Sequence, residues 1–171
     1  NHFYDKDQPL PIWAIFELIS LGEFGAFIDC LNQKVSKKIS KSVGIKNSYD
    51  GDGKLLPLIV YTLKDLRNAV AHNNTLFDTR FKTGKVNQRI AKCISAETGI
   101  TNITFDSIVD YVILIAYMMK LLECPKTKVQ SFIRRFEKCC DELRGKVTTS
   151  IFNTIVYTDT RNKLALLKKF L

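Results

Sequence analysis

The stretch Ile108-Val109-Asp110-Tyr111-Val112-Ile113-Leu114-Ile115-Ala116-Tyr117-Met118-Met119-Lys120-Leu121-Leu122 is apolar on nearly every side of a helical wheel. A helix of that kind belongs at the centre of a helical protein, covered by others. Thr104-Phe105-Asp106 offers a side-chain cap and an acidic first turn. The pattern therefore predicts a helix from this cap to about 122, stopped by Pro125. Asp110 and Lys120 break the run before it reaches the roughly eighteen apolar residues a bilayer span requires, so no membrane segment is expected.

Working outward, helical spacing recurs on both sides. Pro11 suits a first helical turn, and Ile12, Trp13, Ile15, Phe16, Ile19 and Leu21 predict a buried helix. It continues past Gly22 and Gly25 through Phe24, Phe27, Ile28 and Leu31. Each glycine costs about 1 kcal/mol against alanine, which points to a bend or a close backbone approach. Residues 34–42 form a short polar helix with Val35, Ile39 and Val43 opposite Lys37, Lys38 and Lys41. Turn formers fill 47–53; Asp50 and Asp52 have the spacing that opens a calcium loop, but no acidic ligand follows where such a loop needs one.

Residues 55–72 read as the next helix, with Pro57 near its start, Leu56, Ile59, Val60, Leu63, Leu66 and Val70 inward, and Asn73-Asn74-Thr75 at its end. A loop through Phe77, Arg80, Phe81 and Gly84 leads to a helix over 87–98. Residues 127–144 are amphipathic, with Val129, Phe132, Ile133, Phe136 and Leu143 inward, Lys138, Glu142 and Arg144 outward, and Gly145 ending the helix. Residues 151–157 fit helix or strand, and 160–171 form a basic helix. There is no internal repeat. The expected fold is all-α, one domain over 1–171.

Composition narrows the function. With 46% hydrophobic and 25% charged residues the chain has ordinary globular usage, not that of a disordered or fibrous protein. Its +9 net charge, from 26 Lys and Arg against 17 Asp and Glu, favours a polyanionic partner, nucleic acid first. A basic but inert surface is the alternative, because net charge speaks to encounter and not to chemistry. Five cysteines at scattered spacings give neither a disulfide framework nor a zinc knuckle. Buried free thiols, adjacent Cys139 and Cys140 among them, and a reducing, cytoplasmic compartment are expected. Beginning at Asn1 without a leader, the chain reads as a piece of a longer protein.

Histidine occurs only at positions 2 and 72, so imidazole chemistry falls on His72. On an ideal helix Asn68 and His72 share a face, while Arg67 lies about 140 degrees round from His72. Either the helix distorts at its end or a working site collects groups from two protomers. On the residues alone, a capping or core His72, a surface Arg67 and a core Asn68 are the readings that base rates favour.

The segment Leu66-Arg67-Asn68-Ala69-Val70-Ala71-His72-Asn73 resembles the R-N-x-x-A-H signature of the Abi-like, AbiD/AbiF-type family of abortive-infection proteins, a family placed in the HEPN superfamily. Leu10-Pro11-Ile12-Trp13-Ala14-Ile15-Phe16-Glu17-Leu18-Ile19-Ser20-Leu21-Gly22 is similar to that family's L-P-I-W-x-x-x-E-x-x-S-F-G block. Two departures stand out: Asn73 occupies the place of a second histidine in many relatives, and Asn74 the place of the tyrosine in HEPN toxins regulated by nucleotidylation. The likeness fades beyond about 120, and the family's usual N-terminal helices would precede Asn1.

The resemblance implies a HEPN-like helical bundle with additional C-terminal helices and an endoribonuclease in phage defence or a toxin role, using neither metal nor cofactor. It implies Arg67, Asn68 and His72 as the catalytic set, working across a homodimer cleft, with an antitoxin or regulatory RNA as a restraining partner. RNA brings its own nucleophile, the 2′-hydroxyl, so a proton-transfer group and a phosphate-binding cation suffice. Histidine and arginine are the side chains suited to those tasks. Lys64, Asn73, Arg80 and Lys82 flank the motif as candidate RNA contacts, and Glu17 is expected as a buried partner fixing a neighbouring helix. A non-catalytic RNA- or protein-binding module is the competing reading.

Overall fold

The computed structural model describes residues 11–171, and every regular element among them is helical. In chain order these are α1 (Ile12–Leu18), α2 (Leu21–Cys30), α3 (Gln33–Ser42), α4 (Leu55–Ala71), α5 (Gln88–Thr98), α6 (Ile108–Leu121), α7 (Lys126–Arg144), α8 (Thr149–Ile155) and α9 (Thr160–Phe170).

The helix that opened the sequence reading is the axis of the fold. In α6, Val109 to Leu114 and Ala116 to Met118 are all buried, and α4, α7 and α9 pack around it. Its start differs from expectation. Ser107, not Thr104, is the N-cap, its hydroxyl accepting from the Val109 N–H at 3.3 Å. The Thr104 to Asp106 segment is instead a loop folded onto the Asp110 carboxylate, which accepts the N–H groups of Thr104 and Phe105 at 3.0 Å each.

The other oxygen of Asp110 accepts from the Lys163 ammonium at 2.9 Å. Lys163 also donates to the Asn102 carbonyl at 2.8 Å, and its side chain is 5% exposed against 1% for Asp110. One ion pair thereby joins α6, the loop before it and α9. At the other end of the interface Lys120 donates to the Phe170 carbonyl and lies 3.6 Å from that ring's centroid.

The region before α4 departs most from expectation. The long first helix is two helices, because the Ser20 hydroxyl accepts from the Glu23 N–H while the Glu23 carboxylate accepts from the Ser20 N–H. This reciprocal box starts α2 afresh, and it holds the Glu23 carboxyl below its ordinary range. Of the two glycines, Gly25 is a close approach: an added Cβ would lie 2.8 Å from the Tyr61 ring of α4.

Nor is α1 buried. Ala14 faces inward, but Trp13, Ile15, Phe16 and Leu18 are exposed, and so is Glu17, which is therefore not the buried helix partner expected of it. Its contact with α2 runs through the Phe16 ring, edge-on to Phe24 and Phe27. In α3 the buried side chains are Ser36 and Ser40, whereas Val35 is exposed and Ile39 and Val43 are half-buried. The small serines let Gly53 approach so closely that a Cβ there would lie 2.8 Å from that of Ser36.

Asp50 and Asp52 organise the loop before α4. Asp50 accepts from the Leu55 N–H at 2.8 Å, and Asp52 takes both Arg89 terminal nitrogens, at 2.9 and 2.6 Å. The guanidinium of Arg89 holds the Asp52 carboxyl far below the ordinary carboxylate range. Stability from this clamp is complete above the ordinary carboxylate pKa and is lost only as pH falls through the depressed value.

Of residues 151–157, Ile151 to Ile155 complete the helix α8 and Val156 turns extended to end it, with Phe152 buried beneath the Arg144 guanidinium. Of the cysteines only Cys93 is buried, its sulfur 3.4 Å from the Tyr117 hydroxyl; Cys30 and Cys139 are exposed, Cys124 and Cys140 half-buried. Burial pushes the Cys140 thiol up to about 11. Among the described residues no helix is long and apolar enough to cross a membrane.

Removing one partner of a buried ion pair strands the other, at a cost of about 3–5 kcal/mol. Lys163→Ala is expected to lower the melting temperature by about 10 °C, at the 2–4 °C per kcal/mol of a chain this size. Thermal unfolding followed by circular dichroism checks this; a fall below about 2 °C would show the pair to be dispensable.

Candidate functional site

Arg67, Asn68 and His72 occupy the last turn of α4. Its buried face, from Leu55 through Ile59 and Leu66 to Ala69, leaves Arg67 on the exposed side and Asn68 at the border. The helix stops in a double closure. The Asn74 N–H donates to the Ala69 carbonyl at 2.8 Å, and the Asn73 N–H to the Val70 carbonyl at 3.2 Å. This is the Schellman pattern, which needs a left-handed residue just past the cap. Asn73 supplies it with φ of 52°. Asparagine tolerates that conformation better than most residues with a Cβ.

His72 is the cap residue itself, exposed, with φ −95° and ψ 9°. Its backbone N–H donates to the Asn68 carbonyl at 2.9 Å. The Arg67 Nη1 donates to the Asn68 Oδ1 at 3.1 Å. Arg67 and Asn68 are thus in contact, and the amide oxygen is committed to the guanidinium. Asn68 keeps its NH2 group as donor on the helix face shared with His72. Among the described residues no hydrogen bond joins the His72 ring to either, so the distortion at the helix end does not by itself close the set.

The flanking candidates divide. Lys64 lies against α2, its Cδ 3.2 Å from where a Gly22 Cβ would stand, with its ammonium 3.0 Å from Asp65. Asp65 accepts from the Thr83 hydroxyl at 3.2 Å, which draws the loop after the motif back along α4. Lys82 is committed elsewhere: its ammonium donates to Asp106 at 2.5 Å and to the Phe105 carbonyl at 3.2 Å, and it holds the Asp106 carboxyl below its ordinary range. Arg80 pairs with Asp78 at 2.5 Å but keeps 80% of its side chain exposed. Asn73 has the capping task just described.

Helical spacing put Val70 in the core, yet it is 58% exposed. With Leu21, Leu63, Leu66, Ala71 and Ile115 it lines a shallow apolar groove of about 480 Å³ that runs against Arg67. A wheel drawn for α4 alone does not register that the neighbouring helices leave its last turn uncovered.

Residues 1–78 match the family model described as Abi-like protein. The Abi-like match covers a little under half of the chain, taking in the 10–22 block and all of α4 with its capped end. No curated protein and no solved structure matches the chain.

If Asn73 serves the helix end through backbone geometry, Asn73→Gly should keep the unfolding free energy in urea within a few tenths of a kcal/mol, since glycine is the commonest residue at this position. Asn73→Val should lose about 1–2 kcal/mol, because a β-branched residue is strained in the left-handed region. Urea titrations of both variants decide it; equal midpoints would show the cap to be unimportant.

Proposed function

We propose that this chain is a HEPN-type endoribonuclease acting in abortive infection or as a toxin. The observation that carries the reading is an exposed, firmly capped helix end bearing an Arg67–Asn68 contact and His72, inside the span that matches the Abi-like family. In the proposed reaction the 2′-oxygen of RNA attacks the adjacent phosphorus. The bond from phosphorus to the 5′-oxygen breaks, giving a 2′,3′-cyclic phosphate and a 5′-hydroxyl. His72 takes the 2′-hydroxyl proton or delivers one to the departing 5′-oxygen, as general base or acid. Arg67, permanently charged and forked, neutralises charge growing on the phosphate oxygens. Asn68, fixed through its oxygen by Arg67, offers its N–H groups to the phosphate or to His72.

Among the described residues one protomer offers His72 alone at this helix end, whereas the reaction needs both a base and an acid. A second copy of the helix end would supply the missing partner, and the apolar groove beside Arg67 gives such a copy a surface to rest on. The same lack of a bond between the His72 ring and its neighbours supports the second reading, a non-catalytic RNA-binding module.

His72→Ala and Arg67→Ala are each expected to slow cleavage of total RNA by about 10²- to 10⁴-fold with unchanged circular dichroism, while chelator leaves the wild-type rate intact. Wild-type cleavage by His72→Ala would remove the nuclease reading. In solution the chain is expected to have the mass of a dimer and to lose both dimer and activity in Val70→Asp. A fully active monomer would refute the paired site.

A further inference from the structure

The helix α3 carries Lys34, Lys37, Lys38 and Lys41 with no acidic residue in its ten. Lys34, Lys38 and Lys41 are exposed and Lys37 is half-buried. None of the four forms an ion pair among the described residues, although nine other basic side chains do. A merely solvated helix face usually intersperses both signs at the three- and four-residue spacings that attract. Here those spacings hold like charges throughout: 34 with 37 and 38, and 41 with 37 and 38. Lys34 also stands in the first turn, where the helix dipole disfavours a cation.

These arrangements all work against the folded helix. They are relieved together only by a dense external array of negative charge. The helix is also held in a fixed attitude, since Ser36 and Ser40 are buried and Gly53 closes on Ser36 and the Lys37 N–H. We infer that α3 is a second nucleic-acid contact, binding the phosphate backbone of a single RNA strand away from the cleavage site.

The contact deepens the ribonuclease reading and rests on it for the identity of the polyanion. Gly53 sets α3 beside the start of α4, and the length of α4 separates that point from His72 by about 25 Å at 1.5 Å per residue. A strand reaching both extends several nucleotides beyond the bond being cut. The lysines therefore act on binding and not on the chemical step, so their loss should raise KM and leave kcat unchanged.

The test compares three full-length proteins: wild type, a variant with Lys34, Lys37, Lys38 and Lys41 all changed to Gln, and a control with Lys85, Lys92, Lys146 and Lys169 changed to Gln. Each is titrated, over a range of salt, with a short 2′-O-methyl oligouridylate, which lacks the attacking hydroxyl. The α3 variant should bind at least tenfold more weakly at low salt, with its salt slope reduced by about 2–3, at about 0.7 per lost contact on a single strand. Its melting temperature should be equal or higher, because repulsion is removed; a lower one would make the lysines structural and overturn the inference.

Equal losses in both variants would reduce the effect to net charge, and unchanged binding would remove the contact; either result overturns the proposal. So would binding to anionic phosphatidylserine vesicles that depends on these lysines while oligonucleotide binding does not. Cleavage separates the two readings. If wild type fails to cut RNA but the α3 variant loses oligonucleotide binding, the contact stands and the nuclease falls. If the α3 variant cuts with wild-type KM and kcat, the nuclease stands and the contact falls.

Discussion

Asp110 sits at the first turn of α6 with no exposure, a carboxylate in the most apolar part of the protein. It survives there because every direction is answered: two backbone N–H groups on one oxygen and the Lys163 ammonium on the other. Isolated, either charge would be expelled from such a place. Together they locate the incoming loop, the central helix and the last helix at one point. The position of α4 follows, since α4 packs on α6 and on α5, whose arrival depends on that loop. The ion pair, far from His72 in the sequence, thereby helps to place one of the surfaces on which α4 rests, beside its more extensive packing on α2.

A second constraint is the tightness of the α2 and α4 contact. At Gly25 the Tyr61 ring leaves no room for a Cβ, and Gly22 carries the Lys64 stem. The helix α2, which begins at the end of the 10–22 block, is thereby held closely against the motif helix.

The helices from α4 onward, α8 apart, were legible because their apolar residues recur at helical spacing and α6 is apolar all round. What failed was local competition and neighbourhood. Ser20 and Glu23 have capping-box spacing, but apolar residues run through them and disguised the break. Thr104 resembled a cap better than Ser107 until Asp110 claimed its backbone. Val70 reads as inward from single-helix geometry and Glu17 as a buried partner from the 10–22 block, and neither signal registers where covering helices stop. Lys163 looked like one more surface cation, since nothing near it in sequence announces Asp110. Arg67, Asn68 and His72 were visible as a motif, whereas the Arg67 to Asn68 contact, the engagement of Lys82 with Asp106 and the groove at Val70 needed three dimensions.

The double closure after His72 has a consequence for motion. Most helix ends fray, so side chains in a last turn sample many placements and lose that freedom when they bind. Here the amides of Asn73 and Asn74 tie the terminal carbonyls back into the helix, and the turn opens only when both bonds break together. The backbone beneath Arg67, Asn68 and His72 is already ordered and has little entropy left to lose. The left-handed asparagine is thus a brake on disorder at the helix end that carries the motif.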